Sequence, residues 1–414
     1  MSDYSDFKPS KLGEISRPRQ WPTISHEVIR RVGLYPVYGA NGVIGFYDSY
    51  THEKPTVAIT CRGSTCGEIH LTPEKSYITG NAMALDDLNT SRLDQRYLYH
   101  FLKHDGLKDC ITGSAQPQII GSALKDFLVW HPSLESQRLI ARILDTLDIQ
   151  IQKTEALIAK LEKVKEGLLH DLLTRGIDDS GRLRPSPEQA PELYKESPLG
   201  LIPREWEYAA ISKMMTSTTL GTARRGGGSS PKLKLIKMGN LNWGNKLSLT
   251  DIENISASKV SKSLLLRDGD LLFNTRNTPE LVGKTCSWKG EGDLFTFDNN
   301  ILRIRFSEHT NGHFVSSYMG STLGRKRIRQ LATGTTSVAA IYWRNLSRLE
   351  IPMPSPREQK LIVEKVSSLQ NNIDSLRGDL MSRYRLKSGL MDDLLTGRVR
   401  VTPLLDTAQA TTPA

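Results

Sequence analysis

The sequence has no apolar run approaching the ~20 residues that a membrane-spanning helix requires, so a helical membrane anchor is not expected. Met1 to Phe7 is polar and acidic with no apolar signal core, so export is not expected either and the compartment reads as cytoplasm. Cysteine is scarce: Cys61, Cys66, Cys110 and Cys286 are the only four in 414 residues, too few and too scattered for a disulfide framework. Cys61 and Cys66, with His100 and His104 further on, fit no common zinc spacing, and plain reduced thiols account for them better. Catalytic signatures are missing too. Leu281-Val282-Gly283-Lys284-Thr285 resembles the end of a phosphate-binding loop, but Thr278 stands where the first glycine belongs. There is no glycine fingerprint for S-adenosylmethionine, no aromatic-flanked Asn-Pro-Pro or Asp-Pro-Pro, no nucleophile elbow, and no acidic cluster that singles out a metal. These absences favour a chain that binds and does not catalyse, with no cofactor or metal of its own.

What is present is ordinary globular composition, 38% hydrophobic and 24% charged, at a length suited to two or three domains. The formal charge of +10 is compatible with a polyanionic partner, although many solvated surfaces carry as much.

The strongest signal is an internal repeat. Leu139-Ile140 to Thr174 realigns without a gap on Leu361-Ile362 to Thr396, at a constant offset of 222. Pro132-Ser133 and Gln137 match Pro354-Ser355 and Gln359 upstream. The openings also look alike: Ser10-Lys11-Leu12-Gly13 followed by Trp21, against Ser197-Pro198-Leu199-Gly200 followed by Trp206. The chain therefore reads as two homologous halves, each a mixed α/β body followed by a helical tail. The expected boundaries are a first body at 1–132, its helix at 133–175, a linker at 176–198, a second body at 199–354, its helix at 355–397, and a tail at 398–414.

Each tail has apolar residues on alternating steps of four and three. In the first these are Ile140, Leu144, Leu147, Ile151, Ile158, Leu161, Leu168 and Leu172, with Thr154 and Lys165 filling the gaps. In the second they are Ile362, Val366, Leu369, Ile373, Leu376, Leu380, Leu390 and Leu394, interrupted at Arg383 and Lys387. Such a stripe over about five heptads predicts a coiled-coil seam. Ser355 can cap the second helix, Pro356 suits its first position and Glu358 can complete a capping box; in the first half Ser133 keeps the cap, while Ser136 replaces the glutamate. The Gly/Ser/Pro-rich stretch from Gly176 to Pro198 is short, so the second helix is expected to pair back along the first: a long antiparallel coiled coil with pseudo-two-fold symmetry and a body at each end. About 36 helical residues span about 54 Å, enough to present two bodies to DNA sites one to one and a half turns apart. A generic hairpin joining two domains would also explain the seam.

The bodies supply candidate contacts. Asn41-Gly42, between apolar residues, predicts a tight hairpin. The strand Thr56–Thr60 runs into Arg62-Gly63-Ser64-Thr65, and the strand Gly269–Asn274 runs into Thr275-Arg276-Asn277-Thr278. Arginine can bridge guanine O6 and N7 or grip a phosphate, and small hydroxyl and amide side chains serve either role. An ordinary turn with a solvated arginine explains each alone; the repetition is what gives Arg62, Ser64, Thr65, Arg276 and Asn277 weight. Arg325-Lys326-Arg327-Ile328-Arg329 reads as a helical phosphate-gripping patch or a solvated helix face. Arg224-Arg225-Gly226-Gly227-Gly228 reads as a mobile basic loop, and Lys284 is a further candidate contact. Gly113-Ser114-Ala115-Gln116-Pro117-Gln118 and Gly334-Thr335-Thr336-Ser337 precede each helix by about twenty residues; Gln116 could read adenine, although a structural turn also explains the segment.

Tyr194-Lys195 to Ser197-Pro198-Leu199-Gly200-Leu201-Ile202-Pro203 with Trp206, Phe273 to Lys284, the proline-rich approach to Glu358-Gln359, and the closing Leu394-Leu395-Thr396-Gly397 resemble one known family. It is the family of specificity subunits of type I restriction-modification enzymes, and the resemblance covers nearly the whole chain. Ser136-Gln137 for the usual Glu-Gln and His131-Pro132 before the first helix depart from its pattern. The resemblance implies two target-recognition domains and two helical spacers in a non-catalytic subunit. It further implies double-stranded DNA with an asymmetric bipartite target, two methyltransferase subunits, and room for two motor-nuclease subunits. S-adenosylmethionine would belong to the methyltransferase, and ATP and Mg2+ to the motor-nuclease. A stand-alone DNA-binding regulator and a protein-binding coiled-coil scaffold remain the alternatives.

Overall fold

A computed structural model describes residues 7–113, 116–226, 232–335, 337–401 and 403. It divides into two compact units, Met1–Leu157 with Leu376–Ala414, and Ile158–Ser375. Both long helices, Leu134–Thr174 and Pro356–Leu395, therefore contribute to each unit.

In the first unit a four-stranded antiparallel sheet runs Arg17–Gln20, Ala82–Asp86, Val57–Thr60, Ile69–Leu71. Beside it in sequence, Gly42–Tyr47 pairs antiparallel and Tyr77–Ile78 parallel with Tyr35–Gly39. The second unit repeats this order. Its four strands run Met215–Leu220, Ile301–Phe306, Leu271–Asn274, Thr285–Ser287, all antiparallel. Its three-stranded sheet has Glu253–Ser256 antiparallel and Phe295–Phe297 parallel to Lys232–Ile236. Two bodies that differ in sequence share one topology, as the repeat in the tails leads one to expect.

A short helix follows each sheet. Asp94 accepts from the backbone N–H groups of Arg96 and Tyr97 to start Gln95–Asp105, and Asn311 accepts from those of His313 and Phe314 to start Gly312–Gly320. Such caps contribute about 1 kcal/mol each. The helices bury Tyr97, Leu98 and Phe101 in one core and Phe314, Val315, Tyr318 and Met319 in the other.

The long helices have 41 and 40 residues, about 60 Å each. None of the seam residues from Ile140 to Leu172 or from Ile362 to Leu394 is exposed. In the first unit Lys387 pairs with Asp148, Arg383 donates to Gln150, and the Tyr384 hydroxyl donates to Glu155 at 2.5 Å. From Asp148–Lys387 to Glu155–Tyr384 the position rises along the first helix and falls along the second, so the pairing is antiparallel. In the second unit Lys165 donates to Gln370 at 2.6 Å. The charged interruptions Lys165, Arg383 and Lys387 are thus bonded across the helix pair, whereas Thr154 bonds back to the Gln150 carbonyl of its own helix; a polar seam residue fixes register at a cost in stability.

Four expectations need correction or refinement. The openings do not align at Ser10–Gly13 and Ser197–Gly200. Ser10 and Lys11 lie in the strand Lys8–Lys11, paired with Leu128–His131, and Leu12 starts the helix Leu12–Ile15. Ser197 and Gly200 instead close a turn, each N–H donating to the other's carbonyl at 3.1 and 3.0 Å. The counterpart of Lys8–Ile15 is the strand Glu207–Ala210, paired with Glu350–Met353, and the helix Ile211–Met214. Phe7, not Trp21, then stands in the place of Trp206. Each aromatic ring covers a positive-φ glycine just past a long helix: a Cβ on Gly176 would come within 2.4 Å of the Trp206 ring, and one on Gly397 within 2.9 Å of Phe7.

Glu358 does not complete a capping box. Ser355 Oγ accepts from the Glu358 N–H at 3.2 Å, but the Glu358 carboxylate turns inward. It accepts from Arg184 at 2.5 and 3.3 Å, from the Ile177 N–H at 2.8 Å and from Trp206 Nε1 at 3.0 Å. Ser133 caps the first helix through the Ser136 N–H at 3.3 Å. The stretch after the first helix is accordingly packed: Ile177, Arg184, Ala190 and Tyr194 are buried.

The hairpin at Asn41-Gly42 exists, but its apex is Ala40-Asn41, with Gly39 paired to Gly42. Gly42 has φ +69° while neither Ala40 nor Asn41 has a positive φ, so this is a turn followed by a glycine bulge: a type I′ turn would need positive φ at both apex residues and a type II′ turn at Ala40. The charged run does form a helix, Thr322–Arg329, but Ser321 separates it from Gly312–Gly320.

Candidate nucleic-acid interface

In the first unit the strand Val57–Thr60 ends at Cys61, and the chain turns outward at Arg62. The Cys61 carbonyl accepts from the Ile119 N–H at 3.0 Å, which pairs exposed Arg62 with exposed Gln118 of the hairpin Ile111–Thr112/Gln118–Ile119. Thr65 Oγ1 donates to the Ala40 carbonyl and to Asn41 Oδ1, binding this loop to the neighbouring hairpin apex. Arg62, Ser64, Thr65 and Gln116 are therefore gathered in one cluster of loops, with Arg62, Ser64 and Gln116 exposed. Ser114 and Ala115 lie outside the described residues. Burial pushes the Cys61 thiol up to about 12, which makes it a neutral core group. His100 and His104 bond Asp145 and Asp392 instead of converging on the cysteines. Among the described residues no group of His, Cys, Asp and Glu could hold a metal ion.

The second unit builds the same module. Leu271–Asn274 ends at Thr275, whose carbonyl accepts from the Ile341 N–H at 3.0 Å, and exposed Arg276 pairs with Ala340 of the hairpin Thr333–Gly334/Ala339–Ala340. Asn277 caps its own turn through the Thr278 N–H. Arg225 joins this region through the turn at 298–300: it donates to Asp298 and Asn299 at 3.4 Å, and Thr275 bonds the Asn300 carbonyl. Asp298 is raised above the usual carboxylate range by burial, which the Arg225 charge opposes. Arg224 is exposed beside it; Gly227, Gly228 and Thr336 lie outside the described residues. Lys284 is 9% exposed, and its carbonyl closes the turn with the Asn274 N–H, leading into a strand with no helix for a phosphate to cap.

The basic helix has a different setting. Arg325 and Arg329 lie 5.6 and 6.0 Å from the Trp243 ring centroid, a cation–π arrangement that the sequence did not reveal. Lys326 is exposed and Arg327 half-buried. Trp243 and Arg325 line a cleft of ≈ 1080 Å³ that also takes in Ser317, Ser367's neighbour Val366, and His170. In the first unit the place of Ser317 is taken by buried His100, which bonds Asp145 at 2.9 Å.

The architecture is that of a mixed α/β chain with two like-built regions and a pair of long helices. A solved structure of the type I restriction-modification S subunit from M. genitalium has this fold: TM-score 0.65 at 15% identity, over 94% of this chain and 96% of that one. Residues 4–163 match the family described as type I restriction modification DNA specificity domain. Over 387 residues the chain is 26% identical to the type I restriction enzyme MjaVIII specificity subunit of Methanocaldococcus jannaschii, covering 89% of this chain and 87% of that protein. Over 347 residues it is 21% identical to the StySPI specificity subunit of Salmonella potsdam, covering 77% and 72%. The family match over residues 4–163 and the relatives that cover most of this chain all describe DNA specificity subunits of type I restriction enzymes, which is what the chain is similar to.

Proposed function

We propose that each unit reads one part of an asymmetric, bipartite DNA target, and that the chain brings two methyltransferase subunits to that target. Two motor-nuclease subunits can join them. The observation that carries the reading is the repeated module: an exposed arginine, Arg62 or Arg276, held against a hairpin by equivalent backbone bonds but set among unlike neighbours. Like scaffolds with unlike exposed groups suit unlike half-sites. S-adenosylmethionine belongs to the methyltransferase, and ATP and Mg2+ to the motor-nuclease; this chain supplies the address. Its place of action is the cytoplasm, with the DNA.

The test is methylation mapping in a host that produces the chain with its methyltransferase. Arg62→Ala and Arg276→Ala should each weaken recognition by about 1–3 kcal/mol and relax only their own half-site. Uniform loss on every sequence would make both residues phosphate contacts, and methyl transfer by the chain alone would overturn its non-catalytic role.

A further inference from the structure

The module repeats in finer detail than the arginine pairing. In the first unit Thr112 pairs with Gln118, and Gln118 pairs with Arg62. In the second, Thr333 pairs with Ala340, and Ala340 pairs with Arg276. Cross-strand partners present their side chains on the same face, with Cβ atoms about 4.5–5.5 Å apart. Each unit therefore carries a row of threonine, a central residue and arginine. The residues after the central one, Ile119 and Ile341, are both 2% exposed. Since successive side chains alternate, the row faces outward. The threonine is already engaged: Thr112 Oγ1 donates to the Gln118 carbonyl, and Thr333 Oγ1 to the Ala340 carbonyl, each at 3.3 Å. Between otherwise matching rows, the central position is the one that changes chemistry.

We propose that this central position, Gln118 in one unit and Ala340 in the other, determines specificity beside the arginine. The inference rests on the DNA reading above. A glutamine amide offers a donor and an acceptor together, which fits adenine N6 and N7, whereas the arginine fork fits guanine O6 and N7. Neighbours about 5 Å apart on long side chains reach successive base pairs stacked about 3.4 Å apart. Gln118 thus reads a base next to that of Arg62. Ala340 offers only a methyl group, so the second unit reads less at this step.

The experiment is selection from a pool of randomised DNA duplexes by the chain in complex with its methyltransferase subunits. Gln118→Ala should lower the preference at one position by roughly 5- to 100-fold, in the half-site that Arg62→Ala relaxes, and leave the other half-site alone. Ala340→Gln should create a new preference at one position of the other half-site. Gln118→Glu keeps the shape but only accepts, so it should move the preference from adenine towards cytosine; it is the substitute if the alanine variant unfolds. A wild-type motif unchanged by these substitutions, or both half-sites weakened equally, overturns the central position alone. A wild-type complex that enriches no sequence overturns the DNA reading, and this inference with it.

Discussion

Gln137 and Gln359 make the same clasp in the two halves: each side-chain carbonyl accepts the backbone N–H of the residue that caps the preceding short helix, Asp94 at 2.7 Å and Asn311 at 2.8 Å. Each amide also donates to a proline carbonyl, that of Pro132 or Pro354, at 2.9 Å. Both side chains are fully buried in the first turn of a long helix. The clasp ties the start of each long helix to the body before it. Gln359→Ala and Gln137→Ala should each lower stability by about 1–3 kcal/mol, because buried backbone groups lose their partners. Chemical unfolding of the single variants checks this; a change below about 0.5 kcal/mol would mean that water replaces the amide.

Arg184 and Glu358 form the other buried lock. Glu358→Ala leaves the Arg184 guanidinium, 10% exposed, facing only Glu205 among its carboxylate partners. Breaking a buried pair from one side costs about 3–5 kcal/mol. The unfolding midpoint should drop accordingly, whereas Ser136→Glu in the first half, where no such pair exists, should not raise it comparably.

Acid sensitivity follows from Asp145. Burial alone would raise its pKa, but hydrogen bonds from His100 and Arg96 outweigh burial and hold the carboxyl below its usual value. A lowered folded pKa means that its contribution is complete above about pH 4 and is lost as pH falls through the lowered value. Asp145→Asn should cost about 1–3 kcal/mol near neutrality and flatten the acid limb of the stability curve. Equal slopes for variant and wild type below pH 4 would contradict this.

The two helices also invite a test as a ruler. Matched seven-residue insertions, one in each helix, should keep the seam and lengthen it by about 10 Å, or about three base pairs. Methylation mapping on targets that differ only in spacer length should show a longer preferred spacer with both half-sites unchanged. A folded, active double insertion that keeps the original spacer would refute the ruler.

The sequence disclosed what is periodic or repeated. The seam from Ile140 to Leu172 could be read because helical spacing is local, and the 222 offset was visible because both copies of the tail were kept alike. Arg62 and Arg276 could be paired because each follows a strand. The errors came where partners lie far apart in sequence. Ser197–Gly200 shares letters with the opening of the first half, yet only the strand partner Glu350–Met353 shows that Glu207 begins the true counterpart. Glu358 fits a local cap motif, but Arg184 and Trp206 compete for it more strongly. Gln118 gained meaning only when its neighbours Arg62 and Thr112 were known.

The division of the helices has a consequence for birth on the ribosome. The second unit is one unbroken stretch, Ile158–Ser375, whereas the first needs Leu376–Ala414 to be complete. Leu394, Leu395 and Val401 belong to the same core as Leu12, Tyr97 and Leu144. At about 5–20 residues per second, the half made first waits roughly 10–50 s for its last core residues. The later-made half can close first, so the nascent chain should leave its N-terminal core exposed to chaperones longer than its middle.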